Sequence, residues 1–313
     1  MPMREFFSAV GSASRAKRPD IVEKDFHLHT ILREMASDDY LSSNLVFKGG
    51  TCLIKAYLGY FRFSEDVDFT WGDKTLWSGK SKSRTVAACS REISDMIASL
   101  HRICGDLGLV FHGDKRNDRE VHISSGGRMV TMSLGYDSEV LGMPNRIKVE
   151  VNLVESIHFP VRMRRLNSYA KDVGDSRIPS LFRSEWKEYA DPTMMMCYDP
   201  REIFIEKCRA SMTRRGYKLR DSLDLVFMED RLGLSVHRLR SEILRKIDFM
   251  LDLYLRYREN IELSRVPRVD LNRSQEMMLL LGEAPSDLRH RVAVINDDLE
   301  ELRQELVTQR KSR

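Results

Sequence analysis

The chain has 313 residues, of which 42% are hydrophobic and 31% charged, and 51 basic against 47 acidic side chains give a formal net charge of +4. This balance predicts one large globular domain or two, and it excludes a wholly disordered chain. Charged residues interrupt every apolar stretch well before the roughly 20 residues that a membrane helix needs, so we expect no membrane segment. The residues before Arg15 are too few and too polar for a secretory signal.

The net charge and the cysteine spacing place weaker limits on the function than the length and the hydrophobic content do. So small a basic excess does not by itself indicate nucleic-acid binding. The five cysteines are irregularly spaced and form no C-x-x-C pair, which argues against a zinc site or a disulfide framework. We therefore expect a protein of the reducing cytoplasm.

The first predicted elements are a helix and a short strand. Residues 20–36 have a helical apolar pattern, with Asp20 as the expected N-cap and Glu23 as its capping-box partner. Residues 44–47 predict a buried strand that ends at a Lys-Gly-Gly-Thr sequence, and helical spacing resumes at Leu53.

The rest of the chain divides into a mixed half and a helical half. Residues 66–69 alternate as a strand does, 85–107 have helical spacing, and 160–195 carry the turn signals of three prolines. Further strands are predicted around residues 110–111, 121–123, 129–134 and 147–153. From residue 200 onward the pattern is helical, so we predict an α+β fold.

The segment that carries most chemistry is Lys48-Gly49-Gly50-Thr51 followed by Asp66 and Asp68. Two glycines between a strand and a helix let backbone N–H groups approach a phosphate, and a threonine hydroxyl adds a donor. Aspartates two apart on a strand point to one face, where a divalent cation such as Mg²⁺ neutralises them. A lone D-x-D or G-G is usually a solvated pair or a turn, but the joint order is much rarer and indicates nucleotidyl transfer.

This order resembles the DNA polymerase beta-like nucleotidyltransferase superfamily. Two motifs are similar to those of the AbiEii/AbiGii toxin family, which includes the MenT toxins: Phe-Lys-Gly-Gly-Thr at 47–51 and Arg-Phe-Ser-Glu-Asp-Val-Asp-Phe at 62–69. Residues 22–26 resemble the family's Glu-Lys-Asp-aromatic segment, and 201–225 resemble its helical motif. The resemblance implies a polymerase beta-like domain with a mixed sheet, followed by a helical C-terminal domain.

The domains that follow from this are four. We expect an N-terminal helical segment at 1–40, a nucleotidyltransferase core at 41–155 and a connecting segment at 156–195. A helical domain at 196–313 is expected to contribute Lys207 and Asp221 to the site.

The downstream motif is strongly basic. Six basic and no acidic side chains lie between Lys207 and Arg220. Lys207 and Arg214 are two helical turns apart, so they share a face and can hold a triphosphate, although a solvated basic helix fits the pattern as well. The resemblance implies that Lys207 is catalytic and that an aspartate here is too; we prefer Asp221 to Asp224, while Asp221 as a helix cap is the alternative.

The resemblance implies the remaining roles. Catalysis falls to Asp66, Asp68, Lys207 and Asp221, and nucleotide binding to Lys48, Gly49, Gly50, Thr51, Ser64 and Arg214. A third carboxylate on a later strand is common in the superfamily, and Glu150 is the candidate metal ligand beside Asp66 and Asp68, or else a solvent-facing strand residue.

The resemblance also implies the reaction. The expected activity is a Mg²⁺- or Mn²⁺-dependent transfer of a nucleotide from an NTP to the 3′ end of tRNA, which blocks translation. The expected partner is a cognate antitoxin, and the oligomeric state is open. The alternatives are a protein or small-molecule acceptor, or a catalytically silent binding module.

Overall fold

The structure of the protein is a computed structural model, and it describes residues 3–16, 18–216, 218–263 and 275–311. Contacts between residues divide the chain into two units. Met1–Glu155 and Val161–Cys197 form the first unit, and Ser156–Pro160 and Tyr198–Arg313 form the second. Among the helices of the described ranges, none is both long and apolar enough to cross a membrane.

The first unit is built on one mixed sheet in the order β3-β4-β5-β2-β1-β7-β6. Its strands are β1 (Leu45–Lys48), β2 (Asp66–Trp71), β3 (Val121–Ser124), β4 (Met129–Ser138), β5 (Met143–Asn152), β6 (Arg162–Leu166) and β7 (Thr193–Cys197). Its helices are α1 (Met3–Ser12), α2 (Pro19–Ser37), α3 (Asp39–Asn44), α4 (Gly49–Leu53), α5 (Lys82–Asp106), α6 (Ile178–Leu181) and α7 (Arg183–Ala190).

The two faces of this sheet differ in polarity because apolar and polar residues alternate along its central strands. One face carries the buried Val67 and Phe69 of β2 and Val149 of β5. The other, which we call the polar face, carries Asp66 and Asp68. The D-x-D pair therefore lies on the face that the apolar core leaves open.

The second unit is helical. It contains α8 (Pro200–Thr213), α9 (Leu219–Leu232), α10 (Arg240–Leu253), α11 (Leu255–Leu263) and α12 (Leu288–Lys311). Helix α8 is buried along most of its length and packs against the other four. Buried charged residues on α8 therefore need partners that offset their desolvation.

Most predicted elements are present, with two differences. The turn-rich stretch 160–195 contains β6 and the first three residues of β7, and β7 extends the sheet beyond β1. The strand expected at 110–111 is only an isolated bridge between Val110 and Gly135. The segment predicted as a connection thus supplies two strands to the sheet, and the four-part domain division stays a prediction.

The predicted capping box on α2 is wrong. The helix begins at Pro19, so Asp20 lies inside its first turn, where it pairs with Arg18 at 2.6 Å. Glu23 instead accepts hydrogen bonds from the Ser138 hydroxyl and, at 2.7 Å, from the Glu139 amide. The carboxylate thus ties α2 to the β4–β5 turn, a long-range use that local spacing does not reveal.

Part of the predicted helical domain lies outside the residues that the structure describes. Residues 217, 264–274 and 312–313 of the predicted domain at 196–313 are not among the described residues. The four candidate residues of this half are all described: Lys207, Arg214, Asp221 and Asp224.

Candidate active site

The turn after β1 brings two glycines against two charged side chains. Gly49 has φ +77°, and a Cβ on it would lie 2.2 Å from Oδ2 of Asp68. A Cβ on Gly50 would lie 2.4 Å from Nη2 of Arg62 and 3.4 Å from the hydroxyl of Ser64. The motif therefore needs glycine twice, because the carboxylate and the guanidinium occupy the space of a side chain.

This close packing predicts an effect for Gly49→Ala. A left-handed backbone costs an L-residue about 1–2 kcal/mol, and the new methyl group also displaces the Asp68 carboxylate. We expect lower stability together with a large loss of activity, measured by chemical denaturation and a nucleotidyl-transfer assay.

Gly59 is the matched control for that substitution. Its φ is +71°, and a Cβ there would meet nothing within 4 Å. Gly59→Ala should therefore lower stability and leave activity intact. Equal activity losses in the two variants would contradict the role assigned to the Gly49–Asp68 contact.

Thr51 has a structural contact beside its predicted role. It is buried, and its hydroxyl donates to the backbone carbonyl of Asp66. This contact links α4, the helix that begins at the glycines, to the first residue of β2. The contact of Thr51 with a phosphate stays a prediction.

Three charged residues lie in one row across the polar face. Lys48 of β1 pairs in register with Asp68 of β2, which pairs with Glu150 of β5. Side chains opposite each other on neighbouring strands share a face. The row therefore brings Glu150 beside the D-x-D pair, as a third carboxylate requires.

Lys48 has a partner on this face. Its ammonium lies 3.7 Å from the buried Glu155, which accepts a hydrogen bond of 2.8 Å from Asn152. Glu155 thus helps to position the last side chain of β1. Sequence reasoning missed Glu155 because 107 positions separate it from Lys48.

The carboxylates do not form a complete metal cage. Within the described ranges, no group of three or more His, Cys, Asp or Glu side chains is arranged to hold a metal ion. Asp66 and Asp68 on one face nevertheless suit Mg²⁺, which commonly takes one or two protein carboxylates and completes its shell with substrate phosphates and water. The donor set fits such an ion when substrate is present.

Arg62 is a second residue that sequence reasoning did not assign. Only 1% of it is exposed, and its Nη1 donates to the Phe63 carbonyl at 2.7 Å. Its other amino group lies against Gly50. The available signal was its place in the Arg-Phe-Ser segment just before the D-x-D pair.

The helix after the glycines is anchored by a buried polar cluster. Lys55 lies in the π-helical turn Ile54–Leu58, and its ammonium contacts Asp25 of α2 at 2.8 Å and the hydroxyl of Tyr60 at 2.6 Å. The hydroxyls of Tyr60 and Tyr189 donate to Asp25 at 2.9 and 2.7 Å. Burial opposes ionisation of Asp25, but the Lys55 charge and these hydrogen bonds hold its pKa below its usual value.

In the second unit, Lys207 lies between two aspartates of α9. Its ammonium is 3.0 Å from Asp221 and 2.5 Å from Asp224, and Arg214 contacts the other oxygen of Asp221 at 2.6 Å. Burial opposes ionisation of Asp221, but the charges of Lys207 and Arg214 outweigh it and hold its pKa well below the usual range. The structure thus brings these four predicted residues together.

Two details of this cluster differ from the prediction. Helix α8 ends at Thr213, so Arg214 is its extended C-cap and does not share a helical face with Lys207. Asp221 lies inside α9, and the N-cap is Lys218 without a side-chain cap. The helix-cap alternative for Asp221 is therefore wrong. Asp221 instead lies between Lys207 and Arg214 and contacts both.

The two aspartates differ in exposure, which separates their expected roles. Asp224 is fully buried, whereas Asp221 is 7% exposed and also contacts the half-exposed Arg214. We expect Asp221→Asn to lower activity more than stability, and Asp224→Asn to lower stability more than activity. Parallel denaturation and transfer assays check this, and the reverse ranking would assign the catalytic role to Asp224.

The chain resembles known proteins over most of its length. Residues 30–304 match the family described as "Nucleotidyl transferase AbiEii toxin, Type IV TA system". No curated protein matches the sequence.

Solved structures also match. The nucleotidyltransferase toxin MenT4 from Mycobacterium tuberculosis H37Rv has a similar fold at 20% identity and a TM-score of 0.59, over 97% of this chain and 92% of that chain. JHP933 from Helicobacter pylori aligns at 16% identity and a TM-score of 0.42, over 92% and 95% of the two chains. The protein is a nucleotidyltransferase with a mixed α+β fold, and it belongs to the AbiEii toxin family.

Proposed function

We propose that this protein transfers a nucleoside monophosphate from an NTP to the 3′ end of tRNA and thereby blocks translation. The observation that carries the proposal is the Gly49–Gly50 turn packed against Asp68, with Asp66 on the same face of β2. This arrangement places a phosphate-binding backbone next to paired carboxylates. Nucleotidyl transfer needs both.

The residues of the first unit take defined roles in this proposal. Asp66 and Asp68 would hold Mg²⁺ or Mn²⁺ together with oxygens of the NTP, with Glu150 beside them. The ion, when bound, supplies charge neutralisation for in-line attack on the α-phosphate. The backbone of Gly49 and Gly50, with Lys48 and Ser64, would contact the triphosphate, while Thr51 and Arg62 position the turn.

The Lys207 cluster takes a second role. Lys207 and Arg214 would stabilise negative charge on the triphosphate and on the departing pyrophosphate. Asp221 contacts both cations and would set their positions. The pairing keeps the two cations ordered before substrate binds, which reduces the entropy lost on binding.

The family implies a partner and a compartment. A type IV toxin–antitoxin description implies a cognate antitoxin. We propose that the toxin acts in the cytoplasm, where tRNA and NTPs are present, and that the antitoxin relieves its effect there.

A labelling experiment tests the acceptor and the donor together. Purified protein is incubated with total tRNA, Mg²⁺ and each α-labelled NTP in turn, and the products are resolved on a denaturing gel. We expect label in tRNA from one or two of the NTPs. Active, folded protein that labels no RNA would reject the tRNA acceptor and direct the search to protein or small-molecule acceptors.

A further inference from the structure

A line of basic side chains leaves the candidate site along the polar face of the sheet. Residues at alternate positions of β5 share that face, so Glu150, Lys148 and Arg146 follow one another along it. Lys148 lies opposite Asp66 on β2, next to the pair formed by Glu150 and Asp68. We call Lys148, Arg146 and the nearby Arg119 the basic track.

The far end of the track opens into a cavity of about 240 Å³. Arg119 and Arg146 line it together with the polar residues Asn117 and Asn145 and the apolar Val110, which is 53% exposed. The cavity thus combines cationic residues, uncharged polar residues and an apolar surface. Phosphate groups and bases of a nucleic-acid strand need these three kinds of contact.

The charges of the track are available to a ligand. Lys148, Arg146 and Arg119 are exposed, and none of them forms an ion pair with a carboxylate in the described part of the chain. Glu120 also lines the cavity, but it is buried and accepts hydrogen bonds from the backbone amides of His112 and Asp114 at 2.8 and 3.2 Å. Its charge is therefore largely compensated from within the loop.

The strand order decides which substrate the track suits. In the order β5-β2-β1, the Gly49–Gly50 turn follows β1 and the basic track lies on β5, so they flank Asp66 and Asp68 from opposite sides. In-line transfer needs the attacking and leaving groups on opposite sides of the α-phosphate. If the triphosphate occupies the turn on the β1 side, the acceptor approaches from the β5 side.

We propose that the basic track binds the phosphate backbone of a single-stranded RNA 3′ end and leads its terminal hydroxyl to Asp66 and Asp68. This inference rests on the proposed RNA acceptor. Glu150 and Arg146 are separated by about 13 Å at ~3.3 Å per residue, which is the length of about four stacked nucleotides at ~3.4 Å each. The track is therefore long enough for a short 3′ tail, and the test below compares such a tail with a duplex end.

The test measures RNA binding without NTP, using the full-length protein. The probe is a labelled RNA hairpin with a four-nucleotide single-stranded 3′ tail, compared with the same hairpin made blunt, and binding is followed by fluorescence anisotropy over a salt series. The variant carries Lys148→Ala, Arg146→Ala and Arg119→Ala together. The control is Arg91→Ala, an exposed arginine of α5 outside the track.

The triple variant is expected to bind the tailed hairpin at least about tenfold more weakly and to lose the preference for the tail. Three lost phosphate contacts should reduce the slope of log K against log salt by about 2. Arg91→Ala and the charge-conserving pair Lys148→Arg with Arg146→Lys should bind as the wild type does. Binding of a fluorescent NTP analogue should be unchanged in all of them, which also shows that the variants are folded.

Two other outcomes overturn the proposal in different ways. If the wild type binds the tailed hairpin and the triple variant binds it equally, with the same salt slope, the track is not the acceptor site and the proposed function stands. If the wild type binds neither hairpin and labels no RNA, the RNA acceptor itself is rejected, and the track is rejected with it.

Discussion

Asp68→Asn is expected to abolish nucleotidyl transfer, with a loss of about a thousandfold or more, since metal-ion catalysis contributes several kcal/mol of transition-state stabilisation. The asparagine keeps the shape that packs against Gly49 but loses the charge that a divalent cation needs. The free energy of unfolding should change by less than about 1 kcal/mol. The measurement is transfer of α-labelled nucleotide to RNA, alongside denaturation of the same preparation.

The neighbouring Glu65→Gln is the control for this substitution. Glu65 precedes the D-x-D pair and contacts Lys24 at 3.0 Å, with about half of its side chain exposed. We expect wild-type transfer from it. If Asp68→Asn also retained wild-type transfer, the metal-binding role of the pair would be rejected, and the silent-module alternative would gain support if toxicity were unchanged too.

The second large effect is on stability. Lys55→Met leaves Asp25 buried without its cation, and breaking a buried ion pair from one side costs about 3–5 kcal/mol. The hydrogen bonds from Tyr60 and Tyr189 remain, but a carboxylate at 3% exposure still needs a compensating charge. Denaturation by urea should show a markedly lower midpoint, and because the π-helical turn Ile54–Leu58 loosens with it, transfer activity should fall as well.

Two further variants distinguish the loss of the Lys55–Asp25 ion pair from a nonspecific loss of stability. Adding Asp25→Asn to Lys55→Met removes the uncompensated charge and should recover part of the lost stability, which is the signature of coupling in a double-mutant cycle. Lys24→Met breaks an ion pair whose two side chains are 19% and 47% exposed, and such pairs contribute about 0–1 kcal/mol. A Lys55→Met protein as stable as Lys24→Met would contradict the anchoring role of the cluster.

Residues close together in sequence could be predicted well. The strand that ends at Lys48, the two glycines and the alternation of Asp66 and Asp68 all follow from backbone preferences over a few residues. Since Gly49 has a positive φ and the two aspartates share one strand face, the structure agrees with these local predictions. The segment around Lys207 is similar, because the helical pattern and the run of basic residues are visible directly.

Residues that meet from distant parts of the chain could not be predicted in this way. The sequence around β6 and β7 is rich in turn signals and did not predict these strands. The alternation of the exposed Met194 and the buried Met195 is explained only by the pairing of β7 with β1 and β6. Glu23 is similar, since its partners lie in a turn 115 and 116 positions away. Spacing within one segment contains no information about either pairing.

By itself, the sequence determined the candidate site of this protein: two glycines after a strand, paired aspartates, a basic helical segment and a match to one toxin family. Only the tertiary structure decided how that candidate site is supported, by placing Arg62 against Gly50, Glu155 beside Lys48 and Glu150 opposite Asp68. The physical reason is that backbone conformation depends on neighbours within a few residues. Strand order and buried charge pairs depend instead on which distant segments bury their apolar faces together, and that order is what brings the basic track to the carboxylates.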